Sequence, residues 1–172
     1  MTILKILTYP DPFLRQPVHP VTAFDDTLQA IIEDMAETMY DAPGVGLAAI
    51  QAGIDMRLIV FDPNADTEKK DYCVLINPES ASAEGQIISE NEGCLSVPDY
   101  RSDVKRYEFT VAKGLDRFGN PLTIEAEGLL SVILQHEIDH LNGILFIDHL
   151  SALKRQLYKN RRKKALRNEE AD

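Results

Sequence analysis

Leu129-Leu130-Ser131-Val132-Ile133-Leu134-Gln135-His136-Glu137-Ile138-Asp139-His140-Leu141-Asn142 is the stretch around which the rest of the chain must be arranged. Its apolar residues lie nearly all round a helical wheel, and a helix apolar on most sides is a buried one. Gly143 follows where a left-handed C-cap is expected. The segment therefore predicts a buried helix over 129–142. His136 and His140 are four residues apart, so they project from one face and can bind one metal ion together. Two histidines and a glutamate in so apolar a helix would be costly without a task, because buried polar groups need partners.

Two ligands do not close a metal site; a catalytic zinc-like site takes three protein ligands and keeps one position for water. Downstream of the helix the candidates are few: His149, Asp148 and the terminal acidic residues. His149 lies beyond the Gly143 break and reads as a surface or packing histidine. The better third ligand is Cys94, in Glu92-Gly93-Cys94-Leu95-Ser96-Val97-Pro98, a segment without ordinary strand or helix pattern. Gly93 lets the backbone approach something closely there, and a thiol beside a divalent cation is deprotonated outright. Cys73, amid Tyr72, Val74, Leu75 and Ile76, reads instead as a small buried hydrophobe.

Outward from this centre, Pro10, Pro12, Pro17 and Pro20 make the opening an extended, turn-rich arm. A helix is expected over Thr27–Tyr40, with Leu28, Ile31, Ile32, Met35 and Met39 at helical spacing and Asp25 or Asp26 as its cap. Pro43-Gly44 ends it. Strand-like runs follow at Met56–Phe61, Tyr72–Ile76, Gln86–Ser89, Val104–Leu115 and Leu122–Ala126, with Arg117-Phe118-Gly119-Asn120 as a turn between the last two. These strands are contiguous in sequence and do not alternate with helices. That favours an α+β domain, with antiparallel β-sheets packed around the buried central helix. A C-terminal helix is expected over Ser151–Arg167, with Leu150, Leu153 and Leu157 as its packing stripe.

The chain has 172 residues, a length that fits one domain, 1–172, with a core large enough to need no disulfide. Two cysteines do not make a secreted disulfide framework. No apolar run approaches the roughly 20 residues that span a bilayer, and the start lacks the shape of a signal peptide. The expectation is a cytoplasmic protein with no membrane partner. The net charge of −10 is uneven: residues 154–168 hold eight Lys or Arg and no acid, and Glu169, Glu170 and Asp172 follow as an acidic tail. The tail's end is expected to be mobile. An acidic body repels nucleic acid, DNA included, while a separate basic helix can still seek an anionic partner.

Three separated motifs carry a resemblance: Gly44-Val45-Gly46-Leu47-Ala48-Ala49-Ile50-Gln51, Glu92-Gly93-Cys94-Leu95-Ser96, and Gln135-His136-Glu137-Ile138-Asp139-His140. In order and approximate spacing they resemble the bacterial-type peptide deformylases. The match extends to Tyr9-Pro10-Asp11-Pro12 and Ile76-Asn77-Pro78. Ile50 stands where many members have proline or a small polar residue, and Asp99 where glycine is common, which touches substrate preference rather than reaction class. The resemblance implies a metal-dependent hydrolase that removes the formyl group from the N-terminal formyl-methionine of new polypeptides and releases formate. It implies Cys94, His136 and His140 as ligands, Glu137 as proton carrier, and the Gln51 amide and Leu95 N–H as oxyanion donors. Gly44 and Gly46 would meet the substrate backbone, as an added strand does, and Arg101 would stand near the entrance or be merely solvated. Helical geometry adds Leu129, Val132 and Ile133, on the face of the histidines, as a methionine slot. Asp139 either orients a ligand or pairs with an arginine such as Arg106.

Two imidazoles and a thiolate suit zinc, iron(II), cobalt or nickel; the resemblance favours iron(II) in the cell, zinc as an alternative, and nickel or cobalt as replacements. It also suggests the ribosome surface as partner of the basic C-terminal helix. The rival readings are a metallopeptidase, which needs a wider cleft, and a non-catalytic, ribosome-associated metal-binding module.

Overall fold

The computed structural model describes residues 2–65 and 67–171. Helix α1 spans Asp26–Asp41, and the Asp25 side chain caps it by accepting from the Leu28 N–H at 3.0 Å. Among the described residues seven strands follow: β1 (Gly46–Ala48), β2 (Leu58–Phe61), β3 (Cys73–Glu84), β4 (Ile87–Cys94), β5 (Val97–Arg106), β6 (Phe109–Leu115) and β7 (Pro121–Glu127). Helix α2 is Gly128–Leu141 and α3 is Ala152–Glu169. One sheet has the order β1-β2-β3-β6-β7 and the other is the β4-β5 hairpin. Every pairing among these strands is antiparallel. The class is α+β, as the contiguous strands required.

The large sheet lies between two helices, and the period-2 alternation of its central strands shows why. Ile59, Phe61 and Leu75 face α2, where they meet Ile133, Leu134, Ile138 and Leu141. Leu58, Val60, Val74 and Ile76 face α1 and meet Leu28, Ile32, Met35 and Met39. A strand buried on both faces reads as a continuous apolar run, and Leu-Ile-Val-Phe of β2 is buried at all four positions. A third cluster joins the β4-β5 hairpin to the 3-10 turn Phe146–His149 and to α3, through Val97, Val104, Phe146 and Tyr158.

Several boundaries differ from expectation. The run Val104–Leu115 is two strands, broken at Tyr107-Glu108 where the chain leaves the hairpin for the large sheet. β3 continues past Asn77-Pro78 because the register shifts between Ile76 and Glu79, which absorbs the proline. β1 carries no pattern of its own, being three residues long. The segment around Cys94 is not a free loop: Cys94 ends β4 and pairs with Val97 across the two-residue turn Leu95-Ser96. Cys73 is exposed at the start of β3, not buried. On α3, Leu153 and Leu157 are 70% and 59% exposed, and the packing anchor is Tyr158 at 2%. Gly143 has the left-handed φ of 72° expected after α2, and a Cβ there would sit 2.9 Å from the Arg15 carbonyl oxygen.

Candidate metal centre

α2 lies against the large sheet, and its C-terminal turns bring His136 and His140 onto one face. Their Nε2 atoms are 3.3 Å apart. Cys94, delivered by the hairpin turn, puts Sγ 3.2 Å from His140 Nε2. All three ligating atoms lie within 4.8 Å of one another. Atoms bound tetrahedrally to one ion at about 2.0–2.3 Å stand roughly 3.3–3.8 Å apart, so this donor set fits a single divalent cation.

His136 is oriented from behind, whereas His140 Nδ1 is buried without a hydrogen-bond partner among the described residues. Glu92 Oε1 lies 2.8 Å from His136 Nδ1, which gives that nitrogen the proton and leaves the Nε2 lone pair for an ion. Arg106 holds Glu92 at both oxygens, Nη2 to Oε1 at 2.6 Å and Nε to Oε2 at 3.2 Å. Its Nη1 donates to Asp139 at 2.8 Å, and His149 Nε2 lies 2.8 Å from the same Asp139 oxygen. Asp139 thus pairs with Arg106, and His149 belongs to this outer network rather than to the ligand set. Glu92 and Arg106 are buried. Burial alone would raise the Glu92 carboxyl, but the bonds from His136 and Arg106 outweigh it and bring it down to about 2. Burial opposes charge on His136, yet the Cys94 sulfur and Glu92 push its imidazole well above the usual value. The same negative field favours a cation. His140 is held well below the usual value by burial and by neighbouring His136, which keeps its imidazole neutral.

Nothing in the sequence pairs Glu92 with Arg106. They are 14 residues apart, and the β4-β5 register sets Arg106 opposite Ile87 and Glu92 opposite Ser102; the two side chains meet beside α2, where Glu92 reaches His136 and Arg106 reaches Asp139. Glu92 stands two residues before Cys94, which marks it as near the site but does not say what it touches.

Glu137 is buried beside β1, and its Oε2 has no partner among the described residues. Burial raises its carboxyl to about 7, against the opposing pull of His136. Gly46 is the reason that it fits: a Cβ at that position would lie 2.5 Å from Glu137 Oε1. Gln51 sits in the 3-10 turn Ala49–Ala52 that follows β1. Its Oε1 accepts from the Ala48 N–H at 2.9 Å, so the amide nitrogen must point the other way, to Ser96 Oγ at 3.1 Å and towards Cys94 Sγ at 3.6 Å. Ser96, fully buried, is a member of the site that sequence reasoning misses.

These groups open onto a cleft of about 870 Å³ whose lining includes Gly44–Gly46, Leu95, Cys94, His136 and Glu137. Leu129, Val132 and Ile133 also line it; Val132 and Ile133 are buried and Leu129 is exposed. A Cβ on Gly44 would meet Leu95 Cδ1 at 2.9 Å. Arg101 lies across Gly93, donates to the Asn91 carbonyl at 3.3 Å and is otherwise exposed. Two nitrogens and a sulfur for an ion, a buried carboxyl with one oxygen unpartnered, an oriented amide N–H and an open cleft make up the equipment for hydrolysing an amide.

A model of the family described as polypeptide deformylase matches residues 3–156. The peptide deformylase of Desulfosudis oleivorans is 50% identical over 167 residues, covering 97% of this chain and 96% of the relative. That of Desulfotalea psychrophila is 52% identical over 165 residues, covering 95% and 97%. The crystal structure of a peptide deformylase from Legionella pneumophila superposes with a TM-score of 0.90 at 49% identity, covering 99% of both chains.

Proposed function

The chain belongs to the polypeptide deformylase family, metal-dependent hydrolases that remove N-terminal formyl groups from nascent polypeptides, and on that footing we propose that Cys94, His136 and His140 hold the ion while Glu137 moves the protons. The single observation that carries this assignment is the convergence of one sulfur and two imidazole nitrogens within 4.8 Å, beside a buried carboxyl. A divalent ion bound there supplies Lewis acidity, acidifying water and polarising a carbonyl.

The remaining work falls to the chain. Glu137 accepts a proton from the water that attacks the formyl carbon, and hands it to the departing amine nitrogen as the C–N bond breaks and formate leaves. Burial lifts that carboxyl above its usual range, which makes it a stronger base towards the proton of the water. The Gln51 amide and the Leu95 N–H donate to the oxyanion of the tetrahedral intermediate. The fixed orientation of Gln51, held through Ala48 N–H and Ser96, supports its part. Leu129, Val132 and Ile133 form the methionine slot, Gly44 and Gly46 meet the substrate backbone, and Arg101 stands at the entrance. The ion is iron(II), a choice consistent with the mixed nitrogen and sulfur donors, with zinc, nickel or cobalt able to take its place. The exposed basic face of α3 is the ribosome-facing surface. No described helix is long and apolar enough to cross a membrane.

The test is Glu137→Gln. It keeps the shape of the side chain and removes its basicity. We expect turnover of formyl-Met-Ala-Ser to fall by about a hundred- to ten-thousand-fold, with metal content unchanged. Full activity in this variant would remove Glu137 from the reaction. Loss of metal together with activity would mean that it is a structural group. Anaerobic purification with metal analysis decides between iron and zinc.

A further inference from the structure

One wall of the cleft is formed by Asp99, Tyr100 and Arg101 of β5, and α3 grips that wall from outside. The Tyr100 ring lies 4.9 Å from the Tyr158 ring of α3 and 6.1 Å from that of Phe146, centroid to centroid. Phe146 in turn stacks on His136 at 6.3 Å. The Arg161 guanidinium, also on α3, lies 5.4 Å from the centre of the Tyr100 ring and donates to the carbonyl of Asp99. Asp99 has a left-handed φ of 57°, a conformation that few residues other than glycine, asparagine and aspartate adopt. The wall is therefore an unusual backbone conformation tied down at its carbonyl, with an aromatic ring clamped beside it.

The reacting groups leave this wall free. His136, Glu137 and Gln51 serve the formyl end, with the apolar α2 residues beside them for methionine. A cleft of about 870 Å³ has room for more than one residue, and a half-buried tyrosine is a side chain that gives a large contact at low entropic cost. We propose that Tyr100 is a specificity-determining residue whose ring contacts the peptide downstream of the formyl-methionine, and that Arg161 is the positioning residue that holds it there. The proposal rests on the reading of the cleft as a formyl-peptide site. A cation already over the ring makes an apolar downstream residue the better occupant and a lysine the worse one.

The experiment compares formyl-Met-Ala with formyl-Met-Ala-Leu-Ala. For Tyr100→Ala we expect KM for the tetrapeptide to rise about tenfold, while the ratio of tetrapeptide to dipeptide kcat/KM falls by the same factor. Arg161→Ala should lower that ratio in the same direction, and Arg161→Lys, which keeps a cation and a donor, should restore part of it. Tyr100→Leu preserves bulk and serves where the alanine variant fails to fold; melting temperature and metal content are followed for all four. An equal loss on both substrates would make the wall a structural support only, and an unchanged ratio would remove Tyr100 from recognition. If the wild-type enzyme turned over neither peptide, the deformylase reading itself would fail before any variant was compared.

Discussion

Gly46 and Glu137 touch so closely that position 46 cannot take a side chain unless the glutamate moves. Because a Cβ at position 46 would stand 2.5 Å from Glu137 Oε1 and 2.9 Å from its Cγ, Gly46→Ala must push the glutamate off its place. We expect kcat to drop about a hundredfold, near the lower end of what general acid–base assistance contributes, while bound metal measured by atomic absorption stays stoichiometric. Glu92 makes a second residue-level case. Glu92→Gln keeps the contact to His136 Nδ1 but discards the charge that pairs with Arg106. Metal affinity, measured by competition with a chelator, should weaken by about ten- to a hundredfold, and stability should fall by less than the roughly 3–5 kcal/mol that an uncompensated buried charge costs, because Asp139 still pairs with Arg106. The sequence makes one of these groups far easier to find than the other. Glu137 sits between two histidines at helical spacing, and that periodicity alone points it at their neighbourhood. Glu92 meets His136 across 44 residues, and no local pattern encodes a contact made by the register of a hairpin with a helix.

Elements show the same divide. α1 and α2 are legible because each combines helical spacing with an end signal, Asp25 for one and Gly143 for the other. β1 is not, since three residues cannot display a period; it exists because Leu47, Ala48 and their neighbours pair with Val60 and Ile59 of β2. Leu153 and Leu157 read as a packing stripe, yet the burial of Tyr158 turns α3 so that they face outward. The short elements depend on ties between distant segments, and Arg15 with Asp148 is one. Arg15, ending the 3-10 turn Pro12–Arg15, donates to Asp148 at 3.0 Å and to the Gly143 carbonyl at 2.9 Å. Burial raises the Asp148 carboxyl, but the bonds from Arg15 and the Leu145 N–H outweigh it and lower it. A depressed folded-state value means that the stabilisation is complete above the unfolded value of about 3.9 and disappears as pH falls through the folded one. Asp148→Asn should therefore cost roughly 1 kcal/mol near neutral pH, and its denaturation midpoint should converge on that of the wild type as the pH drops below about 4. A gap that persists at low pH would attribute the loss to shape rather than charge.

Taken whole, the molecule separates its charges: an acidic body, with eight basic residues collected in 154–168. The structure divides that basic set by direction. Exposed Arg161 and half-buried Arg162 reach back to the Asp99 and Tyr9 carbonyls, so reversing their charge would disturb the cleft as well as the surface. Lys154, Lys163, Lys164 and Arg167 are exposed, on the helix that also exposes Leu153 and Leu157. An acidic protein gains from gathering its cations in this way, because an anionic partner then meets one attractive face and is repelled elsewhere, which fixes the orientation of docking. If the ribosome is that partner, changing the four outward residues to glutamate should abolish co-sedimentation with ribosomes at low salt. Turnover of a short formyl peptide should stay within about twofold of the wild type, as these residues lie outside the cleft. Reversing two of the four should make the plot of log affinity against log salt shallower, by about 0.7–0.9 for each phosphate that the helix no longer neutralises. Sedimentation that survives the fourfold reversal with its salt dependence intact would show that α3 is a solvated helix and that the body reaches its nascent substrates without it.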